Sequence, residues 1–329
     1  MESLAKTNAN SPLSDCSWTT LSALGVLRLR GADARSFLQG QVSNDVTRLE
    51  PGRSLLAGFH NPQGRVIALL RLLQLAPDDV IAVLPRELVG VAAQRLGKYV
   101  LRAKVKLADD SAQWTLTGLM VPTGSSAAAQ LPANVDEAAR CGESIAVRVG
   151  TEPPRWLLVS PATHPPELAD SASVKPEAWL RLTIAAGEPQ VYATTSEEFV
   201  AQMLNLDALG AIAFDKGCYT GQEVIARAHY RGRVKRRLQR FRTHDPRGLA
   251  AGDAGELSDG RSYRVVSAVA LAEGGCEFLA VTQLAAESAG ETARSQPAVA
   301  AQSADGAQPA KAARVLEAEE LPLPYRVPV

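Results

Sequence analysis

The chain is short of nearly everything that would classify it quickly. It has four cysteines in 329 residues and no CxxC pair, which excludes a disulfide scaffold and zinc-knuckle spacing and fits a reducing compartment. Its four histidines, His60, His164, His229 and His244, have no metal-ligand spacing, and no Ser-His-Asp elbow occurs. No charge of one sign is in excess: Lys+Arg and Asp+Glu number 35 each, so bulk charge does not carry the protein to nucleic acid or to an anionic membrane. No apolar run is long enough to span a bilayer, because the most apolar stretch, Val66 to Ala76, is broken by Arg71 and Gln74. The polar N-terminal stretch has neither the apolar core of a signal peptide nor the arginines of a transit peptide, so the sequence reads as cytoplasmic.

What is present suffices for about two domains, or three small ones, with proper cores. Val26, Leu27 and Leu29 predict a strand ending at Gly31, and Asp33 a cap for a short helix with Ala34, Phe37 and Leu38. Residues 58–64 carry turn chemistry between two apolar runs, which predicts a hairpin. Val80 to Leu84 reads as a buried strand, Glu87 to Tyr99 as a helix, and Val105 with Leu107 as another strand. Strands and helices without strict βαβ alternation predict an α+β class. Residues 121–140 and 284–313 are rich in Ala, Ser, Pro and Gly and make poor core; the second reads as a disordered insertion, and residues 1–17 as a disordered N-terminus.

Residues 179–242 are the densest stretch. Trp179 to Ile184 alternates like a strand before the turn Gly187-Glu-Pro189, and Thr195 with Glu198 has capping-box spacing ahead of a predicted helix with Phe199, Val200, Met203 and Leu204. Lys216 to Glu223 reads as a loop in which Gly217 and Gly221 let backbone N–H groups face inward, leading into a short helix. Cys218 stands two residues from the Lys216 cation, which favours a reactive thiolate. No Lys-Ser/Thr follows the glycines, so this is not a P-loop, and a plain glycine connector stays open as a reading.

Lys216-Gly-Cys-Tyr-Thr-Gly-Gln-Glu223 followed by Arg227 strongly resembles the signature of the YgfZ family, folate-binding relatives of the glycine-cleavage T-protein. Gly31-Ala-Asp33, Phe37 to Asp45, Asn61 to Arg65, Tyr99 to Val105, Trp179 to Pro189 and Leu321 to Tyr325 resemble the family's other motifs, so the likeness covers nearly the whole chain. It implies a T-protein-like three-domain arrangement: a discontinuous folate-binding domain (18–52 plus 178–230), a ferredoxin-like domain (53–177, with 121–140 as a loop) and a C-terminal β-barrel (231–329). It implies tetrahydrofolate or a one-carbon derivative as ligand, with Trp179, Lys216, Gly217, Tyr219, Gly221, Gln222, Glu223 and Arg227 as binding residues and Cys218 as the candidate reactive thiol. Iron–sulfur client enzymes, such as tRNA-modifying radical enzymes, are the implied partners. One thiol does not anchor a cluster, so a cluster would be held only transiently or shared with a partner.

Two departures qualify the likeness. Some relatives carry a second aromatic where this chain has Leu24, so stacking on a ligand would be one-sided. Aminomethyltransferases carry an acidic pair after the hairpin, where this chain has Ala68 and Leu69, and methyl groups accept no proton. A folate-dependent one-carbon transferase therefore stands as the alternative reading. A third is a direct tRNA-binding module on the basic tract from Arg227 through Arg231, Arg233, Lys235, Arg236, Arg237 and Arg240 to Arg242. That tract reads equally as a solvated strand edge or as a surface for a folate tail, a protein or RNA, and with aromatics at 5% strong nucleic-acid binding is not expected. His229 reads as a helix-end hydrogen bonder, and Cys16, Cys141 and Cys276 as structural.

Overall fold

Alternating apolar positions in the first third of the chain fold into a sheet covered on both faces. The computed structural model describes residues 15–152, 154–168, 171–232, 234–284 and 314–328. The first sheet runs Ser54–His60, Val66–Ala76, Asp79–Pro85, Leu24–Arg30, Lys106–Asp109, every neighbour antiparallel. Period-2 alternation sends Val80, Ala82 and Leu84 into one core and Ile81 and Val83 into another, which is why these strands read as unbroken apolar runs. Helix α1 (Ala34–Gln39) and helix α2 (Arg86–Gly97) bury Phe37, Leu38, Leu88, Val89 and Leu96 in the larger core. Asp33 precedes α1 as expected, yet its carboxylate accepts the Lys104 N–H at 2.6 Å and does not cap the helix.

The second sheet runs Ala172–Ser173, Ser17–Thr20, Trp114–Met120, Pro154–Pro161, Ser144–Thr151, Ala138–Cys141, antiparallel except for its parallel first pair. Pairing passes from Arg155 with Gly150 to Trp156 with Arg148, leaving Val149 as a bulge. The sheets do not follow the expected boundary at residue 53. Asp79–Pro85 pairs with Leu24–Arg30 and carries Val66–Ala76 and Ser54–His60 beyond it, so one sheet holds strands from 24 to 109 and the chain passes to the second near residue 110.

The third sheet runs Arg314–Leu316, Ala254–Leu257, Ser262–Ala270, Cys276–Gln283, Arg236–Thr243, Glu319–Leu321. Its two outer strands are separated in sequence only by Glu317 and Ala318, so the edges lie within the ~11 Å that three residue steps can span. The sheet therefore curls like a barrel, with no ladder between those edges among the described residues.

Four local expectations are corrected. Residues 179–184 are not a strand but part of helix α3 (Pro176–Ala185): Pro176 stands in the first turn with Glu177, and Leu180 and Ile184 share a face four residues apart. No helix follows Thr195, only the single turn Ala201–Leu204; Thr195 Oγ1 takes the Tyr192 N–H in a local turn and Glu198 pairs with the distant Arg264, so both capping groups are engaged elsewhere. Residues 121–140 contribute a buried Ala127 and the start of the edge strand Ala138–Cys141. The N-terminal stretch is ordered from Asp15, with Cys16 buried; the rest of it (1–14) and the insertion at 285–313 lie outside the described residues.

Candidate functional site

A cleft of about 670 Å³ opens between the first sheet, the second sheet and α3. Its walls are mostly aliphatic and include Leu24 and Leu69, two positions where relatives were expected to carry an aromatic and an acid. Trp179 lines it from α3, and the indole lies so close to Gly118 that a Cβ there would meet Cε3 at 2.4 Å. A glycine on the neighbouring strand is thus what lets the ring lie flat against the sheet.

The polar part of the cleft is one the sequence did not announce. Arg155, next to the Val149 bulge, is fully buried and donates to Thr183 Oγ1 at 3.0 Å and to Glu188 Oε1 at 2.8 Å, with its Cζ 5.3 Å from the Trp179 ring centroid. Glu188 sits in the turn that follows α3 and lines the cleft, with its side chain 27% exposed. Burial pushes its carboxyl above the ordinary range, against the opposing charges of Arg155 and Arg71. In sequence Glu188 is one residue of the turn Gly187-Glu-Pro189, and the bulge that sets the register at Arg155 leaves no local signal.

The signature loop is elsewhere: none of residues 216–227 lines the cleft, so the expected folate set divides into Trp179 and a separate loop. Gly221, at φ +83°, leads into helix α4 (Gln222–Tyr230), and a Cβ there would meet Asn61 O at 2.5 Å and Gly64 Cα at 3.0 Å. The hairpin turn and the signature, 160 residues apart in reading, are one packed unit. Gln222 Oε1 accepts the Tyr219 N–H at 3.0 Å and closes the loop on itself. Gly217 has open space around it and no positive φ, so only Gly221 needs to be glycine. Lys216 does not present its charge to Cys218. Its Nζ donates to the carbonyls of Gln39, Val42 and Asn44, each at 2.8 Å, and lies 5.0 Å from the Tyr219 ring centroid. Burial pulls this ammonium down to about 8, with Asp45 opposing. Cys218, Glu223 and Arg227 are exposed, whereas burial pushes up the thiols of Cys16, Cys141 and Cys276. His229 stacks on Phe214 with centroids 3.7 Å apart, so its role is packing and not the expected hydrogen bond.

Three of the eight cations of the basic tract are neutralised by acids from distant segments. Arg237 is paired with Asp207 at 2.7 Å, both nearly buried, and Arg240 and Arg242 grip Glu277 at 2.9 and 2.6 Å. Burial alone would raise Glu277, and the two guanidiniums overturn that and leave it lowered. Arg227 and Arg231 remain exposed without a partner among the described residues; Arg233 lies outside them.

The fold is one shared with a solved T-protein. The solved structure of the glycine cleavage system aminomethyltransferase T from Bartonella henselae superposes with a TM-score of 0.65 over 83% of this chain and 80% of that one, at 17% identity, which shows a shared fold. Sequence relatives are nearer. The tRNA-modifying protein YgfZ of Edwardsiella ictaluri (strain 93-146) is 33% identical over 274 residues, 78% of this chain and 81% of its own length. That of Escherichia coli O45:K1 (strain S88 / ExPEC) is 33% identical over 269 residues, 78% and 82%. The chain belongs to the YgfZ family. No family model matches it. None of the helices among the described residues is long and apolar enough to cross a membrane.

Proposed function

We propose that the protein binds tetrahydrofolate or a one-carbon derivative in the Trp179 cleft. In that state it supports assembly or repair of iron–sulfur clusters in client enzymes, and through them tRNA modification. The observation that carries the folate reading is the cleft itself: an indole face beside a carboxylate–guanidinium pair in otherwise aliphatic walls, which suits a flat heterocycle with polar edges. The names of the relatives carry the link to tRNA modification. Cys218, exposed on a loop fixed by Gly221 and Lys216, is the group we assign to chemistry with a client. One thiol does not anchor a cluster, so a cluster would be shared with the partner. The aminomethyltransferase alternative is disfavoured because the hydrocarbon of Leu69 forms the cleft wall, and Ala68 beside it is fully buried.

The test is titration of the purified protein with 5-formyltetrahydrofolate and tetrahydrofolate by calorimetry and tryptophan fluorescence. Binding should be weakened by Trp179→Ala by about 1–3 kcal/mol, the worth of stacking a base-like ring on an aromatic. Absence of heat and of quenching at millimolar ligand would remove the folate reading.

A further inference from the structure

Glu188 is the one acid among the residues lining the cleft. Its Oε1 is held by Arg155, and its Oε2 has no hydrogen-bond partner among the described residues. Arg155 is itself fully buried and fixed by Thr183, so the engaged oxygen is clamped and the other is free to meet a ligand of the cleft that Glu188 lines. The turn that carries Glu188 is fastened from outside. Tyr325 Oη donates to Gly187 O at 2.7 Å, and Leu323 and Tyr325 pack so tightly on Gly187, at φ +66°, that a Cβ would meet Leu323 Cδ2 at 2.7 Å. Because Arg155 also lies over the Trp179 ring, its guanidinium links the indole face to the carboxylate.

We infer that Glu188 is the specificity-determining residue of this cleft: the ligand it takes is a flat ring whose edge presents adjacent N–H donors, as the 2-amino-4-oxopyrimidine edge of a pterin does. The inference rests on the folate reading and deepens it. As the partner of a buried guanidinium the Glu188 carboxylate accepts hydrogen bonds, so a donor edge completes its pairing, whereas a carbonyl at the same ring position would face it with unpaired, repelling lone pairs. Arg155 acts through Glu188 as a positioning residue: its charge opposes the burial that raises the carboxyl, and its hydrogen bond orients that group beside the indole.

The experiment compares two ring systems of equal size. Pterin carries an amino group at position 2, and lumazine carries a carbonyl there. In competition with 5-formyltetrahydrofolate, read by tryptophan fluorescence, the wild-type protein should bind pterin about 10- to 100-fold more tightly than lumazine, the worth of a hydrogen-bonded edge to a charged group. Glu188→Gln replaces one acceptor by a donor. It should abolish that preference and lower 5-formyltetrahydrofolate affinity by a similar factor. Because the variant leaves a buried Arg155 without its anion, the wild-type selectivity ratio stands as a measurement that needs no variant. Wild-type protein that binds 5-formyltetrahydrofolate but takes pterin and lumazine equally, or a folded Glu188→Gln that keeps the preference, overturns the inference and leaves folate binding standing. Wild-type protein that binds none of the three overturns both.

Discussion

His60 ends the strand Ser54–His60 at 1% exposure, with neither ring nitrogen hydrogen-bonded among the described residues and its ring 6.3 Å from that of Tyr219. Gly58 makes room for it, since a Cβ there would meet His60 Cε1 at 2.4 Å. Burial pulls its pKa from 6.5 to about 3, so the folded state keeps the ring neutral where the unfolded chain protonates it. The folded value is the lower one. Stability from this residue is therefore complete above about pH 6.5 and is lost as pH falls from there toward 3. Between pH 6.5 and 5, above the range where most carboxylates titrate, the loss should be about 2 kcal/mol. Urea unfolding across that window checks it: wild type should show the slope and a folded His60→Leu should flatten it. A wild-type midpoint flat over the same range would show that His60 is solvated or partnered.

At the scale of the element, the signature loop separates into a staple and an exposed thiol. Lys216 satisfies three carbonyls at and just beyond the end of α1, and Gly221 lets the loop press on the hairpin turn at Asn61 and Gly64. Lys216→Met should leave those carbonyls unpaired and cost about 2–4 kcal/mol of stability, whereas Cys218→Ala, at an exposed position, should change stability by less than about 0.5 kcal/mol. Denaturant melts of the two variants measure this. The Cys218→Ala protein should still bind folate yet fail to restore iron–sulfur enzyme activity in a deletion strain. Full complementation by that variant would remove the thiol from the mechanism.

Across the whole molecule, equal numbers of acids and bases set the net charge, and pairing between segments far apart in sequence neutralises part of it locally. Asp207 neutralises Arg237, Glu277 neutralises Arg240 and Arg242, and Glu198 meets Arg264. What remains for a polyanion is Arg227 and Arg231 at α4 and Arg236, which among the described residues is bonded only to the Ser262 hydroxyl. Direct tRNA affinity should accordingly stay near the Kd of about 10⁻⁴–10⁻⁶ M typical of non-specific phosphate contacts. Arg227→Ala with Arg231→Ala should flatten its salt dependence without altering any sequence preference. Filter binding at several salt concentrations decides it, and tight, sequence-selective binding abolished by that pair would promote the nucleic-acid reading.

The sequence by itself determined whatever depends on neighbours along the chain. The hairpin at residues 58–64, helix α2, the strand Asp79–Pro85 and the loop-to-helix passage at Gly221 all follow from local turn chemistry and periodicity. The signature motifs also identified the family. Helix α3 was misread because a six-residue run with Trp179 and Ile184 at its ends fits both periods, and the turn preceding it was given no weight. Only the tertiary structure decided the rest. A bulge at Val149 places Arg155 beside Glu188 and Trp179, carboxylates from other segments neutralise Arg237, Arg240 and Arg242, and the signature loop packs on the hairpin and away from the cleft. Each of these is a pairing across tens of residues, set by strand register and by the need of buried charges for a partner, and neither leaves a local pattern to read.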